Sequence, residues 1–239
     1  VTVSSDALGK LVFAGHGGNT AVSALDTTAA GDIFDNFDAQ TLNAAATVES
    51  TSAAGTAAVL STAGGNNIVL YTLPSMVDGL SVSASYTPKG TTVESSSAFG
   101  ATYTGVEGLS VSYGVGTNDA GVTATKADVT TMKASYAYGP ITVAYSDHEF
   151  DSVTATRDQD TTSYSIAYTV SDAISVSYGT EEINSGETAI DAEYSQIAIS
   201  YTSGGMTISA SQQEAENISY STAVNEDQDY WSLGLSFAF

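Results

Sequence analysis

The chain has 239 residues, with 27 Asp or Glu against 5 Lys or Arg, a formal net charge of −22 and no cysteine. The missing cysteines exclude disulfide scaffolds, thiolate metal sites and cysteine nucleophiles, and the acid excess leaves nothing to displace phosphate counterions, so nucleic acid is not a partner. No run approaches the ~18 apolar residues of a membrane helix, while 14 tyrosines and regularly spaced Val and Ile exclude a disordered chain.

From the N-terminus, two short segments with alternating polarity begin near Val1 and Lys10, joined by the turn Asp6-Ala7-Leu8-Gly9. A long stretch without that alternation follows, from Gly15 to Asn66. Within it only Thr56-Ala57-Ala58-Val59-Leu60 is a candidate strand. The alternation then returns in segments beginning near Ile68, Leu80, Ser97, Leu109, Thr130, Ile141, Thr161, Ile174, Tyr194, Met206 and Asp229. In Leu80-Ser81-Val82-Ser83-Ala84-Ser85-Tyr86 one face reads Leu, Val, Ala, Tyr and the other is all serine. Ile174-Ser175-Val176-Ser177-Tyr178 repeats the pattern. The last segment sets Trp231, Leu233, Leu235, Phe237 and Phe239 against Ser232, Gly234, Ser236 and Ala238. A period of two in residues of high β propensity marks strands, about thirteen in all. Short turns such as Met76-Val77-Asp78-Gly79 and Ser203-Gly204-Gly205 alternate with longer acidic loops, such as Glu181 to Ala192 and Glu214 to Gln228. This predicts an all-β, up-and-down antiparallel meander forming one domain, residues 1–239.

Periodicity alone does not say whether the apolar face is a core or meets lipid. The tyrosines separate the two. Tyr103, Tyr136, Tyr168 and Tyr201 fall where a strand enters a short turn. Tyr86, Tyr113, Tyr145 and Tyr178 fall where a strand runs up into a long loop. All eight share the apolar face, as two aromatic girdles bounding a lipid-facing band would. The clear strands carry no charge on that face, and nearly all the acids are expected in loops.

Catalytic chemistry is not in evidence, so the chain is not read as an enzyme. His16 and His148 are expected in or near solvated loops, without the partners of a hydrolytic triad. Gly15-His16-Gly17-Gly18-Asn19 lacks the Gly-Lys-Ser/Thr ending of a phosphate cradle. Asp158-Gln159-Asp160 and Asp227-Gln228-Asp229 offer alternating carboxylates to Ca²⁺, with solvated loop tips as the other reading.

The chain ends in Leu233-Gly234-Leu235-Ser236-Phe237-Ala238-Phe239, and the long segment after its second strand holds Gly31-Asp32-Ile33-Phe34-Asp35-Asn36-Phe37-Asp38. On these residues it resembles the Gram-negative general-diffusion porins, most closely the trimeric porins of alphaproteobacteria. The resemblance implies a sixteen-stranded transmembrane barrel in the bacterial outer membrane, with three strands preceding Val1. Residues 16–66 would then form the inward-folded constriction loop, with Asp32, Asp35 and Asp38 at the narrowest section. Lys10 and Lys133 are the candidate cations of the pore wall, because the only arginine, Arg157, belongs to an outer loop. Phe239 would be the assembly signal read by the barrel-assembly machinery. A homotrimer surrounded by lipid and lipopolysaccharide is implied as well. The expected function is a passive, cation-preferring channel for small hydrophilic solutes. The alternative is a secreted or surface-layer β-sandwich resembling an adhesin.

Overall fold

The computed structural model describes residues 1–37, 66–90, 94–119, 126–186, 188–218, 220 and 227–238. Thirteen strands form: β1 Thr2–Ser5, β2 Gly9–Ala14, β3 Ile68–Thr72, β4 Leu80–Thr87, β5 Ser96–Tyr103, β6 Leu109–Asp119, β7 Lys126–Tyr138, β8 Ile141–Ser152, β9 Gln159–Ser171, β10 Ile174–Ser185, β11 Ala192–Ser203, β12 Met206–Glu216 and β13 Gln228–Phe237. Each begins within a few residues of its expected position. The candidate strand Thr56 to Leu60 lies outside the described residues. All thirteen belong to one sheet in strict chain order, each antiparallel to the next. One continuous meander rules out two stacked sheets, so the sandwich alternative falls. β1 and β13 border the sheet, and among the described residues no ladder joins them.

The short turns lie at one end, here the lower end. They close on glycines in the left-handed region, such as Gly79 at φ 73° and Gly108 at φ 76°. A side chain there would be strained, and Gly lets the chain reverse within the turn. Toward the short turns the outer face is apolar: Val143, Ile166, Ile199 and Leu233 are exposed there. The opposite face carries hydroxyls that bridge neighbouring strands, as in Thr102 to Ser112 at 3.0 Å and Ser211 to Ser232 at 2.8 Å.

Higher up, the polarity of the two faces changes places. The ladders continue past the upper tyrosines, well into the acidic stretches expected as loops. Glu181 to Ser185 belongs to β10, and Glu214 to Glu216 to β12. On these extensions Glu149, Asp151, Glu182, Glu193, Glu214 and Glu216 are exposed on the outer face. Phe150, Ile183, Tyr194 and Ala215 are buried on the inner one. Many of the acids are therefore on strands rather than in loops. Backbone pairing needs no greasy face, so the ladder outruns the apolar band. Glu182 stands opposite Glu193, and Glu193 opposite Glu216. Like charges so paired are tolerable only in water.

This assignment of faces has a direct consequence. Val143→Arg and Val111→Arg should each cost about 2–4 kcal/mol at the middle of a bilayer, and Ser112→Arg on the inner face should cost less. Urea titration of protein refolded into lipid vesicles measures it; a costlier serine substitution would reverse the faces.

Candidate pore constriction

After β2 the chain turns inward and runs along the inner wall of the sheet. Its first anchor is a tight turn in which Thr20 N–H donates to the Ser23 hydroxyl at 2.7 Å. Ala21 N–H donates to the Ser85 hydroxyl of β4 at 2.9 Å. Ala21 and Val22 are fully buried and pack with Ala98, Ala127, Val129 and Phe150. The approach to β5 is close: a Cβ on Gly100 would lie 2.5 Å from the Ala21 carbonyl oxygen. No other residue fits there without moving the segment.

Farther along, Lys133 of β7 reaches over the segment. Its Nζ donates to the Thr28 carbonyl at 2.8 Å and pairs with the Asp26 carboxylate. The Ser163 hydroxyl of β9 accepts the N–H groups of Ala29 and Ala30, at 3.1 and 2.9 Å. Ala30 then lies against β10, 2.7 Å from where a Gly179 Cβ would stand. Asp32 adopts the left-handed conformation at φ 56°. Its carboxylate accepts the Thr28 hydroxyl at 2.7 Å, and its N–H donates to the same hydroxyl oxygen at 2.9 Å. A 3₁₀ turn, Ile33–Asn36, follows. Phe34 N–H donates to Glu181 Oε2 at 3.1 Å. Ile33, Phe34 and Phe37 are buried against Ile183, Ala192, Tyr194 and Ala215, with the Phe37 and Tyr194 rings 5.7 Å apart.

Of the three predicted constriction acids, Asp32 and Asp35 lie on this segment at the inner wall, and Asp38 lies outside the described residues. Asp35 is exposed. Partial burial, and then the neighbouring Asp32 carboxylate, raise its pKa above the ordinary carboxylate range. Lys133 faces inward as expected, but it is engaged by Asp26 and Thr28 rather than standing free in the lumen. Lys10 is exposed on the inner face of β2, at the short-turn end and away from the segment. Among the described inner-face strand positions, Lys10, Lys133 and Glu181 are the charged ones.

Several residues land differently from the sequence reading. His148 is not in a solvated loop: it is fully buried on the inner face of β8 and hydrogen-bonded to the Thr131 hydroxyl at 2.5 Å. His16 is exposed at the start of the inward segment. The four carboxylates considered for calcium are not brought together. Asp158 accepts Ser152 N–H at 2.8 Å and Asp227 accepts Asn217 N–H at 3.3 Å, while Asp160 and Asp229 are exposed on β9 and β13. Among the described residues no group of three or more His, Asp or Glu side chains could hold a metal ion. The eight tyrosines all lie on the outer face, Tyr103, Tyr136, Tyr168 and Tyr201 toward the short turns and Tyr86, Tyr113, Tyr145 and Tyr178 above them. Tyr164 joins the upper group, its ring 5.0 Å from Tyr145. Phe239 lies outside the described residues. Asp26, Thr28, Ser163 and Glu181 were not foreseen. For Glu181 a signal existed, since it shares the parity of Ser175, Ser177 and Gly179 and so points inward.

A family model described as Gram-negative porin matches residues 1–202. Among solved structures, the chain is similar to the anion-selective porin from Comamonas acidovorans, with 20% identity, a TM-score of 0.56 and 73% of this chain covered. It is similar to Salmonella typhi OmpF in complex with daunomycin, with 14% identity, a TM-score of 0.55 and 72% covered. A porin structure refined at 1.8 Å matches over 100% of this chain and 80% of its own, with 21% identity and a TM-score of 0.62. The chain spans only 60% of the Comamonas protein and 62% of OmpF. No curated protein sequence matches it.

The seating of the segment is testable at Gly179. Gly179→Leu should push Ala30 off the wall while leaving the strands paired. Limited proteolysis of the folded protein in detergent should then cut within residues 16–37 faster than in the parent; an unchanged pattern would contradict the contact.

Proposed function

The chain belongs to the Gram-negative porin family, and we propose that it forms a passive, water-filled channel for small hydrophilic solutes and ions across the bacterial outer membrane. The observation that carries this reading is the inward segment, which lies on a hydroxyl-rich wall and brings Asp26, Asp32 and Asp35 to the inner side of the sheet. Serine and threonine walls hydrogen-bond weakly to passing solutes, so size and charge decide what passes. Residues 16–66 are read as the constriction, with Asp32, Asp35 and Asp38 as its acids.

A preference for cations is the finer part of the proposal. Carboxylates clustered at a narrow section favour cations, and Lys133 supplies no free opposing charge because Asp26 holds it. The Comamonas porin is described as anion-selective, so the likeness of fold lends this preference no support, and it rests on the segment's own charges. The two rows of tyrosine are read as interfacial girdles, and Phe239 as the assembly signal for the barrel-assembly machinery. Assembly as a homotrimer among lipid and lipopolysaccharide follows from the family resemblance.

Reversal potentials in a salt gradient across a planar bilayer test the charge assignment. Replacing Asp32, Asp35 and Asp38 by Asn should move the potential toward zero with the barrel still folded. Lys133→Met should move it the other way, since Asp26 is then uncompensated. Unchanged potentials in both variants would place the segment outside the conducting path.

Acidification gives an independent check. Because the Asp35 pKa is raised, this carboxylate takes up its proton as the pH falls, before ordinary carboxylates do. Cation preference should therefore begin to decline above the usual carboxylate range, and Asp35→Asn should remove that early part of the decline. Identical pH profiles for parent and variant would exclude Asp35 from the selectivity.

A further inference from the structure

Glu181 is an acid where an acid is costly. It is 1% exposed, on the inner face of β10, between Gly179 beneath Ala30 and Ile183 within the apolar cluster of Phe34, Phe37 and Tyr194. A carboxylate in such surroundings is destabilising unless hydrogen bonds compensate it. Its Oε2 accepts the main-chain N–H of Phe34 at 3.1 Å, and the Ile33 N–H and the Thr28 hydroxyl also act on the carboxyl group. The Phe34 N–H belongs to the first turn of the 3₁₀ element, where it has no partner within the turn.

The location matters more than the bond alone. Asp32 lies two residues before Phe34 and Asp35 one residue after it. Holding the Phe34 N–H fixes the backbone from which both carboxylates project. Among the described residues, the polar contacts that Ser85, Lys133 and Ser163 make with the segment hold residues that precede this turn. Packing by Phe34 and Phe37 is strong but carries little directional information, whereas a hydrogen bond to a buried acceptor sets both position and orientation.

We propose that Glu181 is the positioning residue of the constriction: its carboxylate seats the acidic turn on the wall and so sets the steady open conductance and the ion preference. This rests on the reading of residues 16–37 as part of the conducting path. Three variants, recorded in planar bilayers with potassium chloride alone, separate the two ideas. Glu181→Met keeps the bulk but removes the acceptor. It should give a folded, heat-modifiable barrel whose current flickers to a second level, with the time spent there raised about tenfold, the factor that one buried donor left unsatisfied carries. Its reversal potential should move toward zero. Glu181→Gln keeps an acceptor oxygen and should restore the quiet current of the parent, which a role through net charge would not predict, while a noisy Glu181→Met excludes a role through bulk alone. Asp35→Asn tests the path itself.

If Asp35→Asn shifts the potential while Glu181→Met is as quiet and selective as the parent, the positioning role is wrong and the constriction stands. If neither changes anything, both are wrong. Should Glu181→Met fail to fold, amide hydrogen exchange in the unaltered protein decides. A Phe34 amide strongly protected against exchange supports the anchor, and one exchanging at the rate of an unprotected chain overturns it.

Discussion

A backbone inside hydrocarbon has no water to bond with, so every N–H and C=O must be satisfied within the protein. The ladder of this chain answers that demand for β2 to β12, each bonded to both chain neighbours, whereas β1 and β13 are each paired along one edge among the described residues. Once the ladder exists, side chains alternate between two environments automatically. What each environment is then depends on height. In the apolar band the outer face is Val, Ile, Leu and Tyr, and the inner face is Ser, Thr, Ala and Gly. Above the upper tyrosines the same ladder carries carboxylates outside and apolar groups inside. One backbone device therefore serves two solvents, first lipid and then water.

The inward segment exploits the upper arrangement. Its apolar residues need an apolar wall, and the inner face offers one only above the band, at Val129, Phe150, Ile183 and Tyr194. Its backbone needs polar partners, and the wall supplies single hydroxyls and charges at Ser85, Lys133, Ser163 and Glu181. Its path needs room, and Gly100 and Gly179 leave it. Burial gives the segment its hold, while the few polar contacts choose its position.

Most of the fold was legible in the sequence because strict alternation leaves no competing reading. Leu80 to Tyr86 and Trp231 to Phe237 state their two faces outright. The upper extensions were missed for an understandable reason. Runs such as Glu149-Phe150-Asp151 and Glu214-Ala215-Glu216 also alternate, but with the polarity inverted, and acids suggest loops when one polarity is assumed for the whole strand. The same assumption misplaced His148. The inward course of the segment was legible only as a resemblance carried by Gly31 to Asp38. The contacts that seat it join residues far apart in the chain, as with Lys133 to Asp26 and Glu181 to Phe34, and no local pattern records such pairings.

The inversion of polarity also bears on how deeply the protein can lie in its membrane. Sliding inward by two residues would move each strand about 6–7 Å along its axis. On the outer face that shift would bring Asp147, Glu182, Ser195 and Gln212 toward the level that Tyr145, Thr180, Ile197 and Leu233 or their neighbours now occupy. Polar side chains, two of them carboxylates, would enter hydrocarbon on several strands at once, and the tyrosines below would be carried deeper. The sheet is thus vertically indexed by its own chemistry. A bilayer that is too thick or too thin must deform to meet the fixed apolar band, since the band cannot move to meet the bilayer.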